Sequence, residues 1–192
     1  MLFTIGYATK PFSVFIEQLQ QYDINVIADV RSVPFSKVFF DYHQTSLQQT
    51  LPKHGIKYVY LGAELGPRSK DPNHYDETGQ VQFDRLMESS PFLSGVDRVN
   101  TGLAKDLNIA LLCAEKDPAT CHRSLLISYY LSRHKELEIQ HITHDGGCES
   151  QDDLESRLIA MQGLVPDLLM SSEDTFQLAY QQQLKQTSYR RS

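Results

Sequence analysis

The amino-acid sequence predicts an α/β fold with a Rossmann-like, mostly parallel sheet flanked by helices, and a C-terminal helical extension. Two observations carry this prediction. Short apolar runs, which are typical of buried strands, alternate along the chain with segments whose apolar residues recur at helical spacing. Strands that alternate with helices build crossover units, and such units form parallel sheets. We expect residues 1–150 to form one α/β domain that carries all the motifs, and residues 151–192 to pack on that domain as helices.

Five apolar runs are predicted to be strands. The third is rich in Tyr and Val, which favour extended chains, and the fourth, IALLCA, is the most apolar run of the sequence. The loops Arg31–Phe40 and Gly62–Gly79 that follow the second and third runs are long enough to carry function. In chain order the predicted strands are Leu2–Gly6, Val26–Val30, Lys57–Leu61, Ile109–Ala114 and, as the last strand, Glu138–Thr143.

Helices are predicted between these strands and after them. Pro11 suits the first turn of a helix that runs to about Tyr22. Ser46 is predicted to cap a helix that ends near Gly55, because glycine commonly terminates helices. The further predicted helices cover Val81–Glu88, Phe92–Asp106, the segment around Leu125–Leu131 and the polar C-terminal part of the chain.

Charge and composition argue against several classes of protein. The formal net charge of −6 argues against broad electrostatic binding to DNA, RNA or anionic membranes, but it allows a small basic pocket. No run approaches the ~18 apolar residues that a membrane span needs, and the N-terminus has no signal-peptide pattern. Three cysteines, Cys113, Cys121 and Cys148, do not form a disulfide framework and indicate reduced thiols. We therefore expect a cytoplasmic protein without an extended nucleic-acid-binding surface.

Charged and reactive residues follow the predicted strands. Ligands of open parallel sheets bind beyond the carboxyl ends of the strands, so these residues are expected to meet at one edge of the sheet. The candidates for binding an anionic substrate are Gly6, Tyr7, Arg31, Ser36, Arg68 and Arg123. The candidates for catalysis are Asp29, Glu115, Cys121 and His122.

The segment Cys113–Arg123, at the end of the fourth predicted strand and after it, is the richest of these regions. Thr120 is predicted to cap a helix, which places Cys121, His122 and Arg123 in the first turn of that helix. Free backbone N–H groups and the helix dipole favour an anion there, and they can lower the pKa of a cysteine. The guanidinium of Arg123 can bind a phosphate or a carboxylate through two hydrogen bonds. The segment therefore predicts a site for an anionic group.

Ordinary structural roles compete with these functional ones. Cys113 lies inside an apolar strand, where a cysteine usually acts as a small hydrophobic residue. Asp29 and Arg31 could form a structural pair at a strand end. Tyr7 could pack against a loop, and Cys121 could be only a residue of the turn before a helix.

The sequence contains no motif of a common cofactor site. GxGxxG, GxxxxGK[ST] and GxSxG are absent, and Arg123 follows Cys121 too closely for the Cys-x5-Arg loop of phosphatases. A mixed Cys/His metal site is conceivable, but no tight Cys-x-x-Cys or His-x-x-x-His pair supports it. The residues in question are Cys113, Cys121 and the adjacent His122, with His141, His144 and Cys148 downstream. We therefore predict no cofactor and assign no metal ligands, although Cys121 and His122 are residue types that could hold a metal ion.

Four motifs resemble those of a known family. They are TIGYA at Thr4–Ala8, ADVRSVPFSK at Ala28–Lys37, HGIKYVYLGAELG at His54–Gly66 and LLCAEKDPATCHRS at Leu111–Ser124. Together they resemble the bacterial domain-of-unknown-function family numbered 488. The third motif of that family resembles Leu-Gly-Gly-Arg, and here Pro67 replaces its second Gly while Arg68 is retained.

The resemblance implies a Rossmann-like α/β fold, but it supplies no established reaction. Its members resemble enzymes that process nucleotides or nucleic acids. The motif positions that the resemblance implies are Gly6, Tyr7, Asp29, Arg31, Pro34, Ser36, Glu115, Cys121, His122 and Arg123.

Three functions remain open. The first is an enzyme that acts on a nucleotide, a nucleic-acid component or another anionic substrate. In this enzyme the three candidate arginines would bind the anion, Asp29 or Glu115 would serve as acid or base, and His122 would carry a proton. The second is thiol- or metal-dependent chemistry at Cys121 and His122. The third is a sensor that binds a small anionic ligand without turnover, so the expected partner is a small phosphorylated or nucleotide-like ligand.

Overall fold

A computed structural model of the protein describes residues 1–165 and 170–191 and contains one six-stranded sheet. The order of the strands is β3-β2-β4-β1-β5-β6, and all neighbours are parallel except β5 and β6. The predicted α/β class with a mostly parallel sheet is confirmed. The strands are β1 Leu2–Gly6, β2 Val26–Asp29, β3 Lys57–Tyr60, β4 Ile109–Cys113, β5 Ile139–Ile142 and β6 Cys148–Ser150.

The three central strands are buried along their whole length, because helices cover both faces of the sheet. Strand β4 lies between β2 and β1, so the carboxyl ends of these three strands are neighbours. Gly6 of β1 lies beside Cys113 of β4, and Asp29 of β2 lies beside Leu112. The strand order therefore brings three of the sequence motifs to one point.

Eight α-helices flank the sheet within the described residues. Helices α1 and α2 pack on one face through an apolar cluster that includes Phe15 and Leu47, and α3 to α8 pack on the other around Phe92 and Leu126. The helices are α1 Phe12–Gln21, α2 Gln44–Thr50, α3 Gly62–Leu65, α4 Phe83–Met87, α5 Ser90–Leu103, α6 Tyr129–Lys135, α7 Gln151–Met161 and α8 Ser172–Thr187, and a π-helical segment, Arg123–Ser128, precedes α6.

Three local predictions are wrong. Ser46 lies inside α2 and donates its hydroxyl to the Phe40 carbonyl at 2.9 Å, so it does not cap that helix; the predicted stop at Gly55, with φ of 75°, is confirmed. The predicted loop from Gly62 to Gly79 begins with the short helix α3. Strand β5 is not the last strand, because the chain reverses and adds the short polar strand β6.

The C-terminal helices contact the segment that carries Cys121. Tyr180 of α8 donates its hydroxyl to the Leu125 carbonyl at 2.5 Å, and Gln183 donates its side-chain amide to the Ala119 carbonyl at 2.6 Å. After α8, the Tyr189 carbonyl accepts a hydrogen bond from the Val81 backbone, which brings the chain end back to the sheet edge. None of the described helices is long and apolar enough to span a membrane.

Candidate functional site

A cavity of about 410 Å³ lies at the carboxyl edge of the sheet, beyond β1, β2 and β4. Its walls combine cationic, carboxylate, thiol and aromatic side chains. The sequence-predicted residues that line it are Tyr7, Arg31, Arg68, Glu115 and His122. The other predicted residues, Gly6, Asp29, Ser36, Cys121 and Arg123, lie outside this lining.

Asp29 and Arg31 form a buried ion pair at the end of β2. Oδ1 of Asp29 accepts hydrogen bonds from the Arg31 backbone N–H at 3.1 Å and from Nε at 2.8 Å, and Oδ2 accepts one from Nη2 at 2.5 Å. Tyr58 of β3 donates its hydroxyl to the same Oδ2 at 2.7 Å. Both oxygens of Asp29 are occupied and the residue is fully buried. The geometry therefore favours Asp29 as the residue that orients Arg31.

Arg31 keeps one donor that the described residues do not use. Its Nη1 atom is buried and has no hydrogen-bond partner among them, while the residue borders the cavity and is 4% exposed. Its guanidinium lies 5.1 Å from the centroid of the Tyr7 ring, which stacks on Tyr42. Burial opposes the charge of Arg31, but Asp29 outweighs burial and raises the pKa of the guanidinium above its ordinary value. Arg31 is thus a permanent cation beside the cavity.

Two thiols, a carboxylate and an imidazole meet at another part of the wall. Cys113 Sγ lies 2.7 Å from Glu115 Oε2 and 3.4 Å from His122 Nδ1. Cys121 Sγ lies 3.0 Å from the same oxygen and 3.9 Å from the same nitrogen. The four donor atoms all lie within 4.8 Å of one another, and only Glu115 is exposed. These four residues are termed the thiol–carboxylate cluster below.

A backbone carbonyl fixes the orientation of His122. Its Nε2 atom lies 2.9 Å from the carbonyl oxygen of Val30, which directly follows β2. Because a carbonyl can only accept, Nε2 carries a proton, and in the neutral ring Nδ1 presents a lone pair to the two thiols. Both ring nitrogens therefore face protein groups, so the geometry favours a role of His122 toward the thiols rather than toward a substrate.

The members of the cluster shift one another's pKa values. Burial raises the pKa of the Cys113 thiol well above its ordinary value. Burial also opposes ionisation of Cys121, but Cys113 and the Arg123 guanidinium outweigh it and lower the pKa of that thiol. Burial opposes the charge of His122, but Cys121, Glu115 and the Val30 carbonyl outweigh it and raise the pKa of the imidazole. Burial likewise opposes the charge of Glu115, yet protonated His122 and the two thiol hydrogen bonds lower the pKa of the carboxyl. The cluster therefore favours negative charge at the Cys121–Glu115 pair, in which an ionised Glu115 opposes ionisation of the Cys121 thiol beside it.

The turn that leads into the helical segment after Cys121 differs from the predicted one, in which Thr120 capped the helix. Residues Pro118–Thr120 form a 3-10 turn, and Thr120 donates its hydroxyl to the Asp117 carbonyl at 3.0 Å. Thr120 therefore does not cap a helix. Cys121 is extended, with φ of −126° and ψ of 140°, and its carbonyl accepts a backbone hydrogen bond from Leu125 at 2.9 Å. The thiol thus precedes the helix instead of lying in its first turn.

Arg123 is fully buried beneath the loop that follows β4. Its Nη1 atom donates to the Glu115 carbonyl at 2.8 Å, Nη2 donates to the Lys116 carbonyl at 3.4 Å, and Nε donates to Thr4 Oγ1 at 3.2 Å. These contacts engage the guanidinium with β1 and with the loop. The geometry therefore favours Arg123 as the residue that positions Glu115, not as a direct ligand of an anion.

Gly6 and Ser36 shape the backbone around the cavity. A Cβ atom at Gly6 would lie 1.9 Å from the Glu115 carbonyl oxygen, so only glycine lets the loop after β4 approach β1 this closely. The Ser36 hydroxyl accepts hydrogen bonds from the backbone N–H groups of Val38 at 3.3 Å and Phe39 at 3.0 Å. Both residues therefore support the site by fixing the chain.

Arg68 is exposed on the cavity wall. Its guanidinium stacks over the Tyr189 ring, 4.8 Å from the ring centroid, and its backbone N–H donates to Ser32 Oγ at 3.1 Å. Pro67, which replaces the second Gly of the third motif, also lines the cavity. The loop with Pro67 thus still brings Arg68 to the cavity.

Sequence reasoning missed two kinds of contribution. Cys113 is part of the cluster, whereas the sequence favoured a packing role for it and named it only in a conceivable mixed Cys/His site. The stronger signal was its spacing to Glu115, because residues two apart in an extended chain point to the same side. Tyr189 lines the cavity from the far end of the chain. No local sequence pattern predicts that a residue so near the C-terminus packs against a cavity formed mainly by residues 7–125.

Most residues that form and support the cavity lie in a segment of the chain that matches a recognised family. The family described as Domain of unknown function DUF488 matches residues 12–130, a range that includes Arg31, Arg68 and the thiol–carboxylate cluster. The match spans more than half of the chain, so the chain belongs to this family. A comparison with curated proteins finds no match.

Proposed function

We propose that this DUF488 protein is an enzyme that binds a nucleotide or another phosphorylated compound in the cavity at the sheet edge. The observation that carries the proposal is Arg31, a buried cation whose Nη1 has no acceptor among the described residues. A buried donor without an acceptor costs roughly 1–3 kcal/mol, and more when the group is charged. Arginine also binds phosphate oxygens through its forked N–H groups. An anionic ligand beside Arg31 would supply the missing acceptor.

A second cation supports the same ligand class. Arg68 is exposed on the cavity wall, and its stacking on Tyr189 restricts the guanidinium before any ligand binds. A side chain that is ordered in advance loses less entropy on binding. The protein carries a net charge of −6, whereas two arginines at one cavity give that cavity a local positive charge. This local charge favours an anionic ligand.

An exposed aromatic ring favours a nucleotide over a simple anion. Phe35 lies in the loop after β2, lines the cavity and is 58% exposed. It stacks on His43 with a distance of 4.4 Å between ring centroids, and more than half of the side chain stays exposed for contact with a planar group. Nucleobases stack on such rings with about 1–3 kcal/mol per base. Phosphate at the arginines and a base at Phe35 would together fill the cavity.

Glu115 is the group we propose for proton transfer. It is exposed on the cavity wall, and its neighbours lower the pKa of the carboxyl, so at neutral pH it is ionised and able to accept a proton. Asp29 and Arg123 would be positioning residues, since each is fully buried and holds another member of the site.

Thermal unfolding with a panel of nucleotides, their nucleosides and inorganic phosphate tests this proposal. We expect a nucleotide to stabilise the wild type more than its nucleoside does; a ligand at a hundred times its Kd adds about 2.7 kcal/mol. Arg68→Met should lose the stabilisation. Arg191→Met is the matched control, because Arg191 stacks on Tyr75 at 4.7 Å outside the cavity.

Product analysis then separates an enzyme from a sensor. The stabilising nucleotide should be converted by the wild type, and Glu115→Gln should bind it without conversion. If nucleoside and nucleotide stabilise equally, or if both arginine variants behave alike, the anion site is wrong. Binding without conversion by the wild type would make the protein a sensor.

A further inference from the structure

We propose that the thiol–carboxylate cluster binds one Zn²⁺ ion through Cys113, Cys121 and His122, with Glu115 as an exchangeable fourth ligand. The cluster forms part of the wall of the proposed substrate cavity. The metal site goes beyond the proposed function and does not depend on which substrate the cavity binds.

The donor atoms have the chemistry and spacing of a zinc site. Two thiolates, an imidazole and a carboxylate are ligands that Zn²⁺ accepts, with bonds of roughly 2.0–2.3 Å in a tetrahedral arrangement. Such bonds require separations of about 3.3–3.8 Å between ligand atoms. The thiols lie 3.4 and 3.9 Å from His122 Nδ1, and 2.7 and 3.0 Å from Glu115 Oε2. All four atoms lie within 4.8 Å of one another, so side-chain movements on the order of 1 Å would bring them to tetrahedral positions.

The orientation of His122 is a second, independent observation. Metal-binding histidines almost always donate their other ring N–H to a carboxylate, a carbonyl or water, which fixes the tautomer and aims the free nitrogen at the metal. Here the Val30 carbonyl receives Nε2–H at 2.9 Å, and Nδ1 faces the thiols. Val30 belongs to the chain after β2, so this contact does not arise from the cluster itself.

The surrounding charges would balance around the ion. Two thiolates and the Glu115 carboxylate carry three negative charges, and Zn²⁺ with the Arg123 guanidinium carries three positive ones. Arg123 lies directly behind the cluster and bonds to the Glu115 carbonyl at 2.8 Å. Burying unbalanced charge is costly, so this neutral sum favours the metal-bound state over separate buried thiolates.

The exposure pattern points to an open site. Cys113, Cys121 and His122 are buried, whereas Glu115 is exposed toward the cavity. Structural zinc sites are closed by four protein ligands, and catalytic ones keep an exchangeable position. A fourth ligand on the exposed side could give way to a substrate oxygen or to water. The ion would then supply a Lewis acid at the cavity wall.

Metal analysis of the purified full-length protein tests this inference. We expect about one zinc per chain in the wild type after preparation without chelators. Cys121→Ser and His122→Gln should lose it. Cys148→Ser is the matched control, because Cys148 is an exposed cysteine outside the cluster, and it should retain the metal. Glu115→Gln should bind zinc more weakly, since three ligands remain.

Cobalt replacement gives a readout that does not depend on the variants. After zinc removal, Co²⁺ added to the wild type and to Cys148→Ser should produce the absorption of thiolate-to-cobalt charge transfer. Wild-type protein without stoichiometric zinc and without this absorption would overturn the inference. So would equal metal loss in Cys148→Ser and Cys121→Ser, or a Cys113–Cys121 disulfide found by thiol titration of the protein as purified, before any metal is removed.

The two proposals fail separately. Zinc without any nucleotide-dependent stabilisation would support the metal site and count against the proposed substrate class. Nucleotide-dependent stabilisation in a protein that binds neither zinc nor cobalt would support the substrate class and overturn the metal site. Circular dichroism of each variant identifies those that fail to fold, and the cobalt experiment on the wild type remains decisive in that case.

Discussion

Two buried arginines lie at the same sheet edge and are used in different ways. Arg31 pairs with Asp29, borders the cavity and keeps Nη1 without an acceptor among the described residues. Arg123 gives its donors to two carbonyls and to the Thr4 hydroxyl, and it lies outside the cavity lining. The comparison teaches that a guanidinium is free to bind a ligand only if the fold leaves some of its N–H groups without acceptors. The position of the arginine after a strand does not decide this.

The partners of the two arginines come from different distances along the chain. Asp29 is two residues from Arg31, so that pair forms within one strand end. Thr4 is far from Arg123 in sequence, and the contact exists only because β1 and β4 are neighbours in the sheet. Arg123 therefore joins its own loop to β1, whereas Arg31 and Asp29 form a local unit that borders the cavity.

Removal of Arg123 should have the largest effect on stability. Arg123→Met would leave the buried Thr4 hydroxyl without this donor and two partly buried carbonyls without theirs. Buried groups of this kind cost about 1–3 kcal/mol each, so we expect a loss of roughly 3–5 kcal/mol in the free energy of unfolding. Urea unfolding followed by circular dichroism measures it. Arg68→Met, at an exposed position, should change the same quantity by less than about 0.5 kcal/mol; similar values for both variants would contradict the comparison.

His141 should make the Arg123 side sensitive to acid. The ring is buried between Thr4 and Gln151, and burial together with Arg123 lowers the pKa of His141 to about 3. The unfolded histidine has a pKa near 6.5, so between these values the unfolded chain binds more protons and stability falls as the pH falls. We expect a loss of about 3 kcal/mol between pH 7 and pH 4 from this residue alone.

The slope of stability against pH isolates the contribution of His141. Unfolding by urea at a series of pH values would be compared between the wild type and His141→Gln, whose amide can keep a hydrogen bond to Thr4. The variant should lose much of the slope between pH 6.5 and 4, whatever its absolute stability. If the free energy of unfolding changed with pH equally in the wild type and the variant, the folded protein would not lower the pKa of His141. The ring would then be accessible to solvent, contrary to its burial beside Arg123.

Parts of the fold and the site differ in how far the sequence predicts them. Strands β1 to β5 were predicted to within one residue at each end. Strands β1, β2 and β4 were visible because buried parallel strands are apolar on both faces, whereas the exposed or half-buried β3 was visible through its Tyr and Val residues. Strand β6 was missed, since its residues are polar and it lies at the sheet edge. The predicted caps Ser46 and Thr120 were wrong because both hydroxyls bond to backbone carbonyls instead.

The contacts of Arg123 could not be predicted for a related reason. Two of its acceptors are backbone carbonyls, which every residue possesses, so no residue type in the sequence signals them. The same holds for the Val30 carbonyl that orients His122. Side-chain pairs such as Asp29 and Arg31, in contrast, are visible as residue types at a fixed spacing.

Two glycines offer the finest test, because each supports one side of the comparison. A Cβ at Gly6 would lie 1.9 Å from the Glu115 carbonyl oxygen, and one at Gly62 would lie 1.9 Å from the Arg31 carbonyl oxygen. Gly6→Ala and Gly62→Ala should each cost about 1–3 kcal/mol through overpacking. Gly6→Ala should reduce zinc content and leave nucleotide-dependent stabilisation largely intact, whereas Gly62→Ala should do the reverse. If both variants lost zinc content and nucleotide-dependent stabilisation equally, the Arg31 and Arg123 sides would be mechanically coupled. Displacement of either carbonyl, that of Glu115 or that of Arg31, would then shift both arginines.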